Sequence, residues 1–286
     1  MQKGAPAGTI AVGDINVPRL GFGAMRVTGP GIWGPPRDRS AAIELLRHVV
    51  QAGVRFIDTA DSYGPFVSED LIAEALAPYP PDLLIATKGG LERSGPDEWQ
   101  SNAHPAHLRA ACEGSLRRLR LSRIDLYQLH REDPRVPIEE SIGALTELQA
   151  EGKIRHIGAC NVSLEQLRRA RSVAPILSVQ NRYNLEDRHS EDVLEACTAD
   201  GTPFIPWHPL GGIESMPRHI ATVLSEIAGR HHATGHQVLL AWLLQRSPVM
   251  APIPGTASIA HFDENQQSAN VTLTQPDLAA LDGLAA

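Results

Sequence analysis

Three ionisable side chains stand at the ends of separate apolar runs in this sequence. Asp58 ends one run, Lys88 ends the next and His130 ends a third. Tyr63 follows Asp58 by five residues, in the loop into which the first run leads. If the runs are neighbouring parallel strands, their carboxyl ends meet at one rim, and the four side chains can share a site.

These four residue types suit the protonation of a carbonyl oxygen. A phenol titrates near pH 10, and a neighbouring ammonium favours its ionised form, so we predict that Lys88 lowers the pKa of Tyr63. Asp58 would keep Lys88 charged and oriented, and a neutral His130 would donate a hydrogen bond to the carbonyl. The set can stabilise a developing alkoxide, but no side chain supplies a hydride, so the reaction requires a redox cofactor.

The elements that position these residues follow an alternating pattern. Short apolar runs are separated by segments with apolar residues at helical spacing, which predicts strands and helices in turn. Eight such runs predict an α/β fold of the (β/α)8 TIM barrel type, usually about 250 residues long. Residues 9–17, with a Gly-Asp turn, predict an N-terminal hairpin that closes the barrel floor. The predicted strands are Leu20–Gly23, Arg55–Asp58, Leu83–Lys88, Ile124–His130, Ile154–Cys160, Ile176–Gln180, Pro203–Trp207 and Ala251–Pro254.

The competing architecture is an open, doubly wound sheet with a Gly-x-Gly-x-x-Gly turn after its first strand. Gly21 and Gly23 begin such a motif, but Arg26 occupies the place of the third glycine and no helical pattern opens there. The barrel is therefore favoured. No linker, repeat or long charge run divides the chain, and we predict a single domain over residues 1–286.

Composition excludes several classes of function. The chain has 286 residues and a net charge of −7, which disfavours nonspecific binding to nucleic acid or to an anionic membrane surface. No apolar run approaches the roughly 20 residues of a membrane span, and the N-terminus does not follow the signal-peptide pattern. Three scattered cysteines favour reduced thiols. We expect a cytoplasmic protein whose partner is a small molecule, and the oligomeric state stays open.

The motifs together resemble those of the aldo-keto reductase family, in order and spacing, over nearly the whole chain. They are Gly21-Phe22-Gly23, Phe56-Ile57-Asp58-Thr59-Ala60 with Tyr63-Gly64, Thr87-Lys88, Asp125 to His130, Gly152 to Gly158 with Asn161, and Val179 to Asn184. The resemblance implies the barrel fold and NADPH, rather than NADH, bound across the barrel mouth. It implies that Tyr63 is the proton donor, that Lys88 and Asp58 tune it, and that His130 orients the carbonyl.

The same resemblance assigns cofactor-binding residues. Asn161 and Gln180 match the amides that bind the nicotinamide carboxamide, which needs a donor and an acceptor. Trp207 matches the aromatic that stacks on the nicotinamide ring. Cys160 stands where many members have Ser. We also count Gly23, Met25, Asp58, Pro209 and Leu210 among the residues at the cofactor.

A Gly-Thr turn leading into a helix is predicted to bind the cofactor phosphates through free backbone N–H groups. Many family members have Lys at position 255 and Arg at position 261, whereas this chain has Gly255 and His261. The predicted phosphate-end residues are Gly255, Thr256, Ser258, His261, Glu264 and Asn265.

The loop at residues 27–39 is rich in Gly and Pro, and we expect its Ile32 and Trp33 near the substrate pocket. Together with Gly21–Met25 and Leu-Leu-Gln-Arg-Ser-Pro at 243–248, it looks like the branch containing bacterial pyridoxal reductases. This likeness suggests the reduction of pyridoxal to pyridoxine. We predict that Met25, Trp33, Phe66 and Trp99 form the walls of the substrate pocket.

Two other classes of function remain open. A redox-sensing module would bind the cofactor but turn over negligibly. A metal-dependent barrel hydrolase would use Asp58 and His130 as ligands with Lys88 bridging them. The sequence contains no HxH or HExxH spacing, and we predict no metal site.

Overall fold

The structure, a computed structural model, describes residues 7–284. It begins with an antiparallel hairpin of β1 (Thr9–Val12) and β2 (Ile15–Pro18). At the turn of this hairpin, Asp14 accepts a hydrogen bond at 2.7 Å from His156 and also pairs with Arg155. Both partners lie near the start of a parallel strand that begins at Ile154, so the hairpin contacts the amino-terminal side of the sheet.

The centre of the molecule is a sheet of seven parallel strands in which each strand pairs with the next one along the chain. This order, without crossed connections, is the one predicted by the alternating sequence pattern. The seven strands are β3 (Phe22–Gly23), β4 (Phe56–Asp58), β5 (Leu84–Gly89), β8 (Ile124–Leu129), β9 (Ile154–Cys160), β10 (Val179–Arg182) and β11 (Phe204–Trp207).

The eighth predicted strand, Ala251–Pro254, does not form a regular strand. Two of its four residues are prolines, which have no backbone N–H to give to a ladder. The segment still joins both edges of the sheet, because Ala251 N donates to Phe204 O at 2.8 Å and Gly21 N donates to Pro252 O at 3.0 Å. These bonds bring the first and last strands together through the segment, as a curled (β/α)8 sheet requires.

Helices cover the outside of the sheet and connect its strands. Asp38 caps the first of them by accepting from Ala41 N at 2.9 Å, and Ser163 and Thr234 form capping boxes at two others. In the described range the α-helices are α1 (Arg39–Gln51), α2 (Val67–Leu76), α3 (Pro105–Leu119), α4 (Ile138–Ala150), α5 (Leu164–Val173), α6 (Glu191–Asp200), α7 (Arg218–Arg230), α8 (Gly235–Arg246), α9 (Ile259–Gln266) and α10 (Gln275–Asp282).

Two further strands form an excursion that the sequence pattern did not indicate. β6 (Leu91–Gly95) and β7 (Glu98–Ser101) make an antiparallel hairpin directly after β5. Most of its residues are polar and exposed or half-buried, and Leu91 and Trp99 are the members that line a cavity at the end of the barrel. None of the helices found between residues 7 and 284 is long and apolar enough to cross a membrane.

Candidate active site

Asp58, Tyr63, Lys88 and His130 meet at the carboxyl ends of three neighbouring strands. Asp58 ends β4, Lys88 is the penultimate residue of β5 and His130 directly follows β8. Tyr63 lies on the loop between β4 and α2. All four are buried, with exposures of 7% or less, and Asp58, Tyr63 and His130 line a cavity of about 680 Å³. The sequence prediction that these four residues share one site therefore agrees with their positions.

The ammonium of Lys88 is the hub of this cluster. It donates to Asp58 Oδ2 at 2.6 Å, to the carbonyl oxygen of Thr59 at 2.8 Å and to the hydroxyl of Tyr63 at 3.4 Å. A buried charge is tolerated when it is paired and its protons are bonded, and all three protons of Lys88 have acceptors here. The cluster is therefore a preformed, rigid arrangement.

The second oxygen of Asp58 is also occupied. Its Oδ1 accepts from Gln180 Nε2 at 2.8 Å and from Gln128 Nε2 at 3.2 Å. Both oxygens are thus directed at protein donors, which is unsuitable for a metal ligand. Among residues 7–284, no group of three His, Cys, Asp or Glu side chains is arranged to bind a metal ion. This geometry gives no support to the hydrolase alternative.

The predicted lowering of the Tyr63 pKa is wrong. Burial raises the pKa of Tyr63 to about 12, and the opposing effect of Lys88 is smaller than that of burial. Burial alone would also lower the pKa of Lys88, but the charge of Asp58, with smaller contributions from Tyr63 and Cys160, raises it overall. Tyr63 is therefore protonated and Lys88 charged at neutral pH.

His130 is neutral. Burial, and then the charges of Lys88 and Arg131, hold the pKa of His130 well below its usual value of 6.5. Its Nδ1 lies 3.3 Å from the Ser62 hydroxyl, and its ring meets the Tyr63 ring edge-on at 5.8 Å. When Ser62 donates to Nδ1, the proton of the neutral ring is on Nε2, which makes Nε2 a donor.

The residues predicted at the nicotinamide end are joined by hydrogen bonds to the same cluster. Asn161 donates through Nδ2 to the carbonyl oxygen of His130 at 3.0 Å, and its Oδ1 accepts from Trp207 Nε1 at 2.8 Å. Asn161 has a φ of +56°, a left-handed conformation that Asn tolerates better than most residues. Asn161, Gln180 and Trp207 all line the first cavity.

Cys160 lies beneath this site. It is buried and its thiol donates to Gln128 Oε1 at 3.6 Å. Burial raises the pKa of the Cys160 thiol, with a smaller opposing effect of Lys88. A thiol of this kind is not a reactive one.

A second cavity of about 640 Å³ adjoins the first and is lined by three of the predicted phosphate-end residues, Gly255, Thr256 and His261. The first cavity is lined by the predicted cofactor residues Gly23, Met25, Asp58, Asn161, Gln180, Trp207, Pro209, Leu210 and Gly255. Met25 and Gly255 line both.

Three predicted phosphate-end residues do not line either cavity. Ser258 caps α9, accepting from His261 N at 3.4 Å. Glu264 lies 3.9 Å from His236, and Asn265 is buried within α9. Of the three, only Asn265 is fully buried, while Ser258 and Glu264 are partly exposed at α9.

The structure gives a steric reason for the missing lysine at position 255. A Cβ on Gly255 would lie 2.5 Å from the carbonyl oxygen of Gly23, a distance that real Cβ atoms do not show. The two backbones approach this closely where the eighth segment meets β3. Any side chain at position 255 would require one of these backbones to move.

The second cavity contains two cations that the sequence analysis did not single out. Arg26 and Arg37 both line it, and within the described chain neither forms an ion pair. Two acidic side chains, Asp38 and Glu214, also line it. Arg26 lies shortly after β3. Its position near the carboxyl end of a barrel strand could have indicated from the sequence that it lies at the ligand-binding face.

Of the predicted pocket walls, Met25 and Trp99 line the first cavity, but Trp33 and Phe66 do not. Phe66 is 47% exposed at the start of α2, where its ring lies 4.2 Å from the Arg118 guanidinium carbon. It is the residue before α2 and has a left-handed φ of +71°. Trp33 is bridged to Gly64 in the neighbouring loop.

Several cavity residues were missed by the sequence analysis. Leu91 contributes an apolar wall, Arg131 follows His130, and residues 211–215 follow Leu210. Arg131 and residues 211–215 lie just after strand ends, which is where the fold exposes residues to the barrel mouth.

A sequence model of the aldo/keto reductase family matches residues 19–286. The chain belongs to this family. It is 47% identical to an uncharacterised oxidoreductase of Schizosaccharomyces pombe, covering 96% of this chain and 89% of that protein. It is 43% identical to pyridoxine 4-dehydrogenase of Escherichia coli, covering 96% of this chain and 98% of that enzyme.

The likeness extends to solved structures. An aldo-keto reductase of Klebsiella pneumoniae in complex with NADPH superimposes with a TM-score of 0.80 at 28% identity, covering 97% of this chain and 94% of that one. The predicted family is therefore confirmed, and the chain is an NAD(P)H-dependent oxidoreductase.

Proposed function

We propose that this protein reduces a small aldehyde or ketone to the alcohol with NADPH, and that Tyr63 donates the proton. The observation that carries the proposal is the protonated Tyr63 hydroxyl at the cavity, 3.4 Å from the Lys88 ammonium. The neutral His130 ring beside it supplies a second hydrogen-bond donor. Two neighbouring donors that line the same cavity suit an oxygen that gains negative charge.

Each residue has a separate task in this proposal. His130 donates from Nε2 to the substrate carbonyl and fixes its direction, and Ser62 holds the required tautomer. Tyr63 gives its proton to the oxygen as the alkoxide forms, and the positive charge of Lys88 stabilises the tyrosinate that remains. Asp58 keeps Lys88 charged and in place. The cofactor, when bound, supplies the hydride.

The two adjoining cavities fit an extended dinucleotide. The amides of Asn161 and Gln180 can bind a carboxamide, and the Trp207 face can support a flat ring. In the second cavity, Arg26, Arg37 and His261 are available for phosphate groups. NADPH rather than NADH is supported by these cations and by the NADPH complex of the Klebsiella relative.

Pyridoxal is the best candidate substrate. The chain is 43% identical to pyridoxine 4-dehydrogenase over nearly its whole length. Met25, Ile32, Leu91 and Trp99 give the first cavity apolar walls of a size suited to a small aromatic ring.

We further infer that the chain is a single barrel domain and that its N-terminal hairpin closes the floor of the barrel. Ile10, Val12 and Val17 of the hairpin belong to the same buried cluster as Leu84 and Leu126 of the barrel strands. A buried cluster shared by the hairpin and the barrel strands supports a single domain.

The decisive experiment gives the purified protein NADPH or NADH with a panel of carbonyl compounds that includes pyridoxal, and follows cofactor oxidation. We expect turnover with aromatic aldehydes and faster turnover with NADPH. Tight NADPH binding without turnover of any carbonyl would instead support the redox-sensing alternative. Turnover of other aldehydes but not of pyridoxal would support the proposed reaction and contradict only the proposed substrate.

A further inference from the structure

Arg93, on β6, makes an unusual set of contacts outside the catalytic cluster. Its guanidinium donates to five backbone carbonyl oxygens and, within residues 7–284, forms no ion pair with a carboxylate. The five acceptors are Glu98 at 2.8 Å, Ile32 and Gly31 at 2.9 Å, and Ser62 and Gly95 at 3.1 Å. A planar fork of donors suits such a set, whereas a lysine could serve only three acceptors.

These acceptors belong to three separate segments of chain. Gly31 and Ile32 lie in the loop after β3, Ser62 lies in the loop that carries Tyr63, and Gly95 and Glu98 flank the turn of the β6–β7 hairpin. One side chain therefore fixes these three segments relative to each other.

The same guanidinium covers an aromatic wall of the first cavity. Its central carbon lies 3.6 Å from the Trp99 ring centroid and 5.6 Å from that of Trp33. Trp99 and Ile32 line the cavity into which Tyr63 also opens. A cation held against an indole face fixes the orientation of the ring as well as its position.

We propose that Arg93 is a positioning residue that sets the specificity of the cavity for aromatic carbonyl substrates. It holds Trp99 and Ile32 at a fixed separation from Tyr63, so that a planar ring can pack against Trp99 while its carbonyl reaches the Tyr63 hydroxyl. This inference rests on the proposed function, because it assumes that the first cavity takes the carbonyl substrate.

The test compares kinetic constants of an aromatic aldehyde and a small aliphatic aldehyde in four proteins. Arg93→Gln should raise KM for the aromatic aldehyde about tenfold more than KM for the aliphatic aldehyde, because both substrates use the Tyr63 loop that Arg93 holds, but only the aromatic ring uses the Trp99 wall. Arg93→Lys should give an intermediate KM, and it replaces Arg93→Gln if that variant does not fold. KM for NADPH should change less than KM for the aromatic aldehyde, because Arg93 reaches the second cavity only through Gly31 and Ile32.

The matched control is Arg19→Gln. Arg19 also donates to backbone carbonyl oxygens, among them Leu244 at 2.7 Å and Met250 at 2.9 Å, but it does not line either cavity. This variant should lose thermal stability without changing the ratio of the two aldehydes. An equal change of that ratio in the Arg19 and Arg93 variants would overturn the proposal.

A double-mutant cycle with Trp99→Ala separates positioning from a general structural role. If Arg93 acts through Trp99, Arg93→Gln adds little to KM once Trp99 is removed. Fully multiplicative effects of the two substitutions on KM would contradict the proposal.

Hydrogen exchange provides a readout that is independent of turnover. The amides of residues 31–34 and 95–101 should exchange faster in Arg93→Gln and not in Arg19→Gln. An inactive parent protein would overturn the proposed function, whereas an active parent with unchanged exchange in Arg93→Gln would overturn only the role of Arg93.

Discussion

The ammonium of Lys88 lies 3.4 Å from the hydroxyl oxygen of Tyr63, and yet the pKa of that hydroxyl is about 12. The charge of Lys88 is largely committed to Asp58, at 2.6 Å, and burial penalises a tyrosinate more than the remaining attraction favours it. In the protein without substrate, Tyr63 is therefore a fully protonated acid. Its proton leaves only for a stronger base, such as an alkoxide formed at the cavity.

Removal of the Tyr63 hydroxyl should abolish most of the reduction. Tyr63→Phe keeps the ring that contacts His130 and removes only the proton donor, so kcat should fall about 10²–10⁴-fold. NADPH affinity, measured by fluorescence titration, should stay within about twofold of the parent value, since the hydroxyl is not needed to bind the phosphates. Retention of the parental kcat would show that another group delivers the proton.

The two directions of the reaction should differ in their dependence on pH. Tyr63, with a pKa of about 12, and His130, with a pKa well below 6.5, both keep one protonation state between about pH 7 and pH 9. Reduction, which uses protonated Tyr63 and neutral His130, should show a flat kcat/KM over this range. Oxidation of the alcohol needs the tyrosinate, whose small fraction grows with pH, so its rate should rise. A reduction rate that falls with an inflection below pH 9 would mean that Tyr63 titrates there.

Arg37 should contribute to the preference for NADPH. It lines the second cavity with His261, and an exposed cation on a phosphate is worth about tenfold in affinity. Arg37→Ala should therefore raise KM for NADPH about tenfold and leave KM for NADH nearly unchanged. His261→Arg should act in the opposite direction and favour NADPH further.

The neighbouring Arg39 provides the control for this experiment. It pairs with Glu74 and does not line the cavity, so Arg39→Ala should leave both cofactor constants unchanged. If Arg37→Ala weakens NADPH and NADH equally, the group that Arg37 contacts is common to both cofactors.

Gly255 should be intolerant of any side chain. Gly255→Ala would bring a Cβ within 2.5 Å of the Gly23 carbonyl oxygen, and we expect a clear fall in the midpoint of thermal unfolding. Gly143→Ala is the matched control, because it lies within α4 with no atom near its added Cβ. That variant should gain about 0.5–1 kcal/mol of stability from the better helix propensity of alanine. Equal responses of the two variants would remove the steric explanation for the missing lysine.

Asp61 should destabilise the protein as pH rises. Burial, and then the charge of Glu69, raise the pKa of Asp61 well above its ordinary value, and its Oδ1 has no hydrogen-bond partner within the described chain. Above about pH 4 the folded state binds this proton more tightly than the unfolded state, so the contribution of Asp61 to stability is lost as pH rises. Asp61→Asn cannot lose that proton. The difference in melting temperature between Asp61→Asn and the parent should therefore grow between about pH 4 and pH 8, and a constant or shrinking difference would contradict the raised pKa.

The sequence pattern predicted most of the barrel, because parallel strands are short apolar runs that end on polar residues. The same pattern predicted Asp58, Lys88 and His130 at the ends of neighbouring strands, where the structure has them. The β6–β7 hairpin was missed, since its strands are half exposed and lack an apolar run. The last predicted strand, Ala251–Pro254, is not a regular strand, because its two prolines have no backbone N–H to donate.

The sequence was less informative about pKa values, which depend on burial, and about which way a loop side chain points. The charge of Lys88 was a correct reason to lower the pKa of Tyr63, but the size of the opposing burial effect depends on surroundings that spacing does not specify. Phe66 was expected at the cavity because of its type and position, but it is 47% exposed and its ring packs against Arg118, a contact that sequence spacing does not specify.

The contact between Gly23 and Gly255 also restricts how this chain can change over time. A side chain at either position is confined by the backbone of the opposite segment: a Cβ on Gly255 would lie 2.5 Å from the Gly23 carbonyl oxygen, and a Cβ on Gly23 would lie 2.7 Å from the Ile253 carbonyl oxygen. A lysine or arginine at position 255 would therefore require the backbone of β3 to move. Cofactor preference in this lineage can drift much more readily through the loop before α1, where positions such as 37 accept new side chains without disturbing the barrel.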